Sequence, residues 1–272
     1  MEDLKVTLVQ TKLHWENVDK NLSMFDELLD SVKEETDLII FPEMFSTGFS
    51  MNTSVAETMD GKSMQWLKEK AKEKNCVITG SVMIKAKEKN YNRLIWMQPD
   101  GNFETYDKRH LFRMANEQDH FTAGDKKLIT TLKGWKIRPL ICYDLRFPVW
   151  SRNKSLPLLS LSKGEKSREL EYDVLIYVAN WPSRRSLAWN TLLPARAVEN
   201  QSYVLAINRI GVDGHDVDYS GHSAVYNPLG DKLNKIQPNE NKHETITLSA
   251  KFLQEYREKF PAAMDADDFE IK

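Results

Sequence analysis

The run Asp173-Val174-Leu175-Ile176-Tyr177-Val178-Ala179 is the feature that most constrains this chain. Its apolar residues are unbroken, largely β-branched or aromatic, and too few for a helix. It predicts a strand covered on both faces, as inside a sheet with layers on either side. Asp37 to Phe41 repeats the pattern, Cys76 to Ile84 reads as another buried strand, and Lys136 to Ile141 adds one in which Pro139 must sit at an edge, a start or a bulge. Helical stripes stand between them. Asn17 caps one with Leu22, Phe25, Leu28, Leu29 and Val32, and Ser63 to Lys74 carries another with Met64, Leu67 and Ala71. Alternation of this kind defines an α/β chain.

The remaining segments fit the same class. Lys5 to Gln10 alternates like a half-buried strand, with Val6, Leu8 and Val9 inward. Tyr91 to Met97 is followed by the turn Pro99-Asp100-Gly101-Asn102, which folds Phe103 to Tyr106 back as a hairpin. Arg113 to Lys127 reads as a long irregular loop, and Asn153 to Glu171, rich in Ser and Lys, as a surface insertion. A helix from about Leu187 to Gln201 is expected to kink or divide at Pro194. Ser202 to Asn208 and Gly221 to Tyr226 are predicted strands, Asn227 to Asp231 a turn between two more, and Ala250 to Phe260 a closing amphipathic helix. With no internal repeat and no clear linker, residues 1–272 read as a single domain.

Composition narrows the function classes. Apolar residues at 41% supply a sizeable core, which argues against disorder. The 38 basic and 40 acidic residues nearly balance without a basic patch, so neither nucleic acid nor a membrane surface is an expected partner. The charged start Met1-Glu2-Asp3-Leu4-Lys5 carries no signal-peptide pattern, and no apolar stretch is long enough to span a bilayer; the expected location is the cytoplasm. Two cysteines, Cys76 and Cys142, make no disulfide framework. Gly211-Val212-Asp213-Gly214 matches neither a dinucleotide fingerprint nor a phosphate loop, and the six histidines show no metal spacing.

Three polar residues stand where apolar strands end: Glu43 after Phe41-Pro42, Lys108 after the hairpin, and Cys142 after Ile141. Strand ends are where α/β proteins build sites. Singly, each has an ordinary reading: a cap or solvent-facing glutamate, a solvated lysine, a small buried thiol. Together they make a reaction. A thiolate attacks, a neighbouring ammonium stabilises it, and a carboxylate collects the proton. The ammonium and the Tyr143 backbone N–H would then hold the oxyanion of a tetrahedral intermediate. Acyl transfer from an amide or nitrile suits this set.

Phe41-Pro42-Glu43, Asp107-Lys108-Arg109-His110-Leu111-Phe112 and Ile141-Cys142-Tyr143-Asp144-Leu145-Arg146-Phe147-Pro148 resemble, in order, the three signature blocks of the nitrilase superfamily of carbon–nitrogen hydrolases. The resemblance covers nearly the whole chain. It implies a four-layer α-β-β-α sandwich, a Glu–Lys–Cys triad, no metal or organic cofactor, and a homodimer or higher homo-oligomer packed sandwich against sandwich. A further family glutamate in the loop after the lysine block matches Glu117. It is expected to orient Lys108 or share its proton traffic.

Asn180-Trp181-Pro182, followed by Arg184, Arg185 and Trp189, then Pro194 to Gln201, resembles the bacterial omega-amidase branch. That resemblance implies a small-molecule amide substrate, an α-keto acid amide such as α-ketoglutaramate or α-ketosuccinamate. Its free carboxylate calls for an arginine, with Arg184 and Arg185 as candidates, and Trp181 is expected to wall the pocket. Asp144 and Arg146 are expected to pair under the nucleophile turn. Three rivals stand beside this reading: a carbamoylase or nitrilase of the same superfamily, a Cys–His thiol hydrolase using His215 or His222, and a catalytically silent binding protein.

Overall fold

In the computed structural model, which describes residues 1–157 and 168–271, the apolar runs become the central strands of two sheets. Before Cys142 the chain forms β1 (Leu4–Gln10), α1 (Val18–Ser31), β2 (Leu38–Ile40), α2 (Lys62–Lys74), β3 (Val77–Ala86), β4 (Lys89–Met97), β5 (Phe103–Asp107), α3 (Glu117–His120), β6 (Thr130–Leu132) and β7 (Trp135–Ile141). After it come α4 (Pro148–Ser151), β8 (Ser155–Pro157), β9 (Arg168–Leu170), β10 (Val174–Ala179), α5 (Ser186–Asn200) and β11 (Tyr203–Asn208). The chain closes with β12 (Ile210–Val212), β13 (Asp218–Ser220), β14 (Ala224–Tyr226), β15 (Lys242–Leu248) and α6 (Ala250–Lys259).

One sheet runs β15-β1-β2-β3-β4-β5 and the other β14-β11-β10-β7-β6. Side-chain alternation explains how they stack. Leu38 and Ile40 of β2 join a core shared with β7, β10 and β11, whereas Ile39 between them packs with Phe25 and Leu29 of α1 and Leu67 of α2. On the far side, Trp189, Leu193 and Ala197 of α5 and Leu253 of α6 cover the second sheet. The result is the expected four-layer α-β-β-α sandwich. Asn17 caps α1 as expected, its Oδ1 accepting the Lys20 amide at 3.0 Å.

Several expectations change. Thr7 and Gln10 are as buried as Val6 and Leu8, so β1 is covered on both faces, with Thr7 bonded to Thr36 and Thr245 and Gln10 to the carbonyls of Gln237 and Glu240. Helix α5 runs undivided through Pro194. The segment Arg113 to Lys127 contains α3 and a preceding 3-10 turn, Arg113–Ala115. The predicted turn at Asn227 to Asp231 forms, but its second arm is a single bridge between Tyr226 and Lys232. The Asn153 to Glu171 stretch is anchored at its start: Asn153 is buried and bonded to Tyr172 and Asn200, and β8 pairs with β9. Residues 158–167 of that stretch lie outside the described residues.

Candidate active site

Glu43, Lys108, Glu117 and Cys142 arrive from four places and meet at one end of the sandwich. Glu43 follows β2, and Lys108 directly follows β5, its amide bonded to Asn92 O at 3.0 Å and its carbonyl accepting from Gly124 N–H at 3.0 Å. That second contact needs a glycine, because a Cβ on Gly124 would lie 2.3 Å from the Asp107 carbonyl oxygen. Glu117 opens α3. Cys142 leaves β7 with φ of +42°, the left-handed region that non-glycine residues occupy only when their surroundings impose it. From below, buried Arg196 of α5 donates to the Leu145 carbonyl of the same turn at 2.8 Å.

All four side chains are buried. Lys108 Nζ lies 2.9 Å from Glu43 Oε1 and 2.9 Å from each carboxylate oxygen of Glu117. Asn92 Nδ2 donates to the same Glu43 Oε1 at 2.8 Å, and the Asn180 amide donates to Oε2 at 2.8 Å. Burial alone would push the lysine toward neutrality, but Glu117 and Glu43 outweigh it and raise its pKa. Burial also raises the Glu117 pKa above its ordinary 4.5; Lys108 opposes this and Glu43 adds to it. For Cys142, burial and then Glu43 raise the pKa well above the ordinary 9.0, against the pull of Lys108. The thiol thus lies in a setting that disfavours its charged form, and its sulfur also approaches Asn180 O at 3.9 Å. A thiol in such a setting becomes a thiolate only as its proton leaves, which calls for an adjacent base.

Cys142 and Lys108 open onto a cavity of about 330 Å³. Phe49, Met51, Phe112 and Trp181 give it apolar walls, with Lys108 Nζ 4.9 Å from the Phe49 ring centroid. Trp181 is buried and donates its indole N–H to the Arg185 carbonyl at 2.9 Å. Tyr143 lines the cavity edge-on to Phe112. Arg184 and Arg185 line it too, and so does Arg146. The Arg185 guanidinium sits 5.1 Å from the Phe112 ring centroid, and that of Arg146 lies 5.1 Å from the Trp181 centroid. Burial and then repulsion from Arg184 and Arg146 lower the Arg185 pKa, so three guanidiniums face one space.

The expected Asp144–Arg146 pair does not form. Asp144 turns into the protein and accepts from Tyr106, Ile141 and His110, while Arg146 is exposed and faces the cavity. Sequence reading also passed over Asn92 and gave Asn180 no role, although Asn180 is again a polar residue at the end of a buried strand. The β12–β13 hairpin was missed. It brings Asp213, His215, Val217 and Tyr219 to the cavity wall, and Tyr219 donates to Asp213 Oδ2 at 2.8 Å. His215 thus borders the cavity packed edge-to-face with Trp15, whereas the charged groups acting on Cys142 are Glu43, Lys108 and Glu117. His222 lies near Asn190. Among the described residues, no group of three or more His, Cys, Asp or Glu is disposed to hold a metal ion, and no helix is long and apolar enough to cross a membrane.

Two docked sheets carrying a buried acid, base and thiol at their shared end define a hydrolase of the nitrilase superfamily, and the chain belongs to the carbon–nitrogen hydrolase family, whose model matches residues 5–258. It is 42% identical over the full length of both chains to the omega-amidase YafV of Escherichia coli, and 30% identical, over 96% of each chain, to the 2-oxoglutaramate amidase of Bacillus subtilis. A carbon–nitrogen hydrolase superfamily protein from Xanthomonas campestris, solved with an arsenic adduct in its active site, superposes with a TM-score of 0.93 at 42% identity over all of both chains. Yeast Nit3 shares the fold at a TM-score of 0.77 and 23% identity, covering 96% of this chain and 95% of its own. The protein is a carbon–nitrogen hydrolase similar to omega-amidases.

Proposed function

We propose that the protein hydrolyses the terminal amide of small α-keto acid amides, α-ketoglutaramate and α-ketosuccinamate, to the dicarboxylate and ammonia through a thioester on Cys142. The observation that carries this reading is a single cavity joining the Glu43–Lys108–Cys142 cluster to Arg146, Arg184 and Arg185. A substrate with an amide at one end and a carboxylate at the other matches both ends. The names of the Escherichia coli and Bacillus subtilis relatives support the same substrate class.

The geometry supports the following chemistry. Glu43 takes the thiol proton as sulfur attacks the amide carbon. Lys108, relaxing one of its contacts to Glu117, and the Tyr143 N–H stabilise the oxyanion. The C–N bond breaks, ammonia leaves with the proton returned by Glu43, and the thioester remains. Glu43 then deprotonates a water that attacks the thioester, releasing the carboxylate and the thiol. Glu117 holds Lys108 against Glu43 throughout. No metal or organic cofactor enters any of these steps. Residues 1–272 act as one domain, working in the cytoplasm as a homodimer or higher homo-oligomer.

A panel of α-keto acid amides, carbamoyl compounds and nitriles, scored for ammonia with wild type and Cys142→Ala, tests the reading. Ammonia from the keto acid amides, lost in the variant, together with a mass adduct on Cys142, supports it. Carbon dioxide released alongside ammonia would instead mark a carbamoylase. No adduct from any panel member would leave a binding protein.

A further inference from the structure

Asp144 lies two residues beyond Cys142 and is fully buried, yet it is not part of the cavity lining. Four donors converge on it. Tyr106 Oη donates to Oδ2 at 2.7 Å, and the Ile141 amide donates to the same oxygen at 3.1 Å. The His110 amide reaches Oδ1 at 3.0 Å, and His110 Nδ1 reaches it at 2.7 Å. Tyr106 and His110 stand two residues before and two after Lys108, while Ile141 precedes Cys142. One carboxylate therefore ties the lysine arm, which ends the first sheet, to the nucleophile turn, which ends a strand of the second.

From this convergence we infer that Asp144 and His110 are positioning residues for the reaction, setting the Lys108 ammonium and the Cys142 sulfur in register. The inference rests on the amidase reading above. With a carboxylate oxygen as its partner, Nδ1 carries the proton and donates. The turn needs such a tether because Cys142 sits at positive φ, and the bond from Ile141 N–H to Asp144 closes the turn around it. Tyr106 is braced in turn, its oxygen accepting from Trp150 Nε1 at 3.0 Å and from the Arg109 amide at 3.3 Å. His110 also stacks on Phe147, ring centroids 3.7 Å apart and planes 6° from parallel, so packing and hydrogen bonding can be separated at this one residue.

Two substitutions in the full-length protein separate them. His110→Phe keeps a stacking ring and removes the side-chain donor; His110→Asn removes the stack but offers an amide N–H near the position of Nδ1. For a tether, His110→Phe lowers kcat by about 10- to 100-fold with KM within about twofold, while His110→Asn stays within about threefold of wild type. Alkylation of Cys142 by iodoacetamide, mapped by mass spectrometry, should slow in His110→Phe and not in His110→Asn. Wild-type kcat in His110→Phe, or equal loss in both variants, overturns the proposal. If His110→Phe fails to fold, Tyr106→Phe removes another donor to Asp144 and must show the same fall in kcat at constant KM; unchanged kcat there overturns it as well. Failure of the amidase reading would be seen separately, as absence of ammonia release by wild type, and the alkylation comparison would still decide the tether.

Discussion

Lys108 Nζ lies 2.9 Å from both carboxylate oxygens of Glu117, a symmetric contact buried from solvent. With Glu43 at the same distance, one ammonium serves two carboxylates that would otherwise repel each other in a dry site. Lys108→Ala should therefore lose activity and also destabilise the fold by about 3–5 kcal/mol, because both acids are left unpaired. Urea unfolding and ammonia release measured on the same preparation check both parts.

Glu117→Gln keeps the shape but removes one negative charge. Lys108 would then be less firmly held against Glu43, and kcat should fall by about 10²–10³-fold with little change in KM. Steady-state kinetics distinguish this from a substrate-binding role, which would raise KM.

The arginines make a prediction of opposite kind. Arg146→Ala and Arg185→Ala should each raise KM for carboxylate-bearing amides by about 10- to 100-fold, the loss of one charge-assisted hydrogen bond. For an uncharged amide of the same length, KM should barely move. If both substrates suffer equally, these residues shape the pocket rather than read the carboxylate.

Alkali should unfold the protein early. Burial raises Cys142 well above 9.0, Cys76 to about 12 and Tyr203 to about 12, and raises Tyr106 and Tyr172 well above 10.0. Groups whose folded pKa is raised bind more protons folded than unfolded across the window between the two values. Stability is thus complete below pH 9 and falls as pH climbs through 9 to 12. Lys108, raised above 10.5, acts in the same direction at the top of that range. Urea midpoints should be alike at pH 7 and 8 and fall from pH 9 to 10.5, and Cys76→Ala should flatten that fall.

Gly124→Ala would force a methyl group to 2.3 Å from the Asp107 carbonyl oxygen, next to Lys108. A melting-temperature loss corresponding to about 1–3 kcal/mol is expected, with kcat falling further than stability alone explains.

Much of this was legible in the chain because strand ends concentrate chemistry. Glu43, Lys108 and Cys142 each follow a strand, and the one before Glu43 carries the continuous apolar run Leu38 to Phe41. What could not be read was direction. Asp144 and Arg146 are near neighbours of opposite charge, but the 3-10 turn Cys142–Arg146 sends one side chain inward to Tyr106 and His110 and the other out to Trp181. Long-range partners escaped for a related reason. Asn92 meets Glu43 only because β4 and β2 lie in one sheet, and Asn153 is buried only because Asn200 comes to it from the end of α5. The β12–β13 hairpin escaped because three-residue strands carry almost no periodicity.

Glu43 and Lys108 end strands of one sheet, while Cys142 ends a strand of the other. Neither sheet alone brings Glu43 and Lys108 to Cys142. The thiol thus gains its partners only once the hydrophobic seam between the sheets has closed. Under the proposed mechanism, a nascent or partly unfolded chain would carry an inert sulfur, and turnover itself would report, molecule by molecule, that the sandwich is shut.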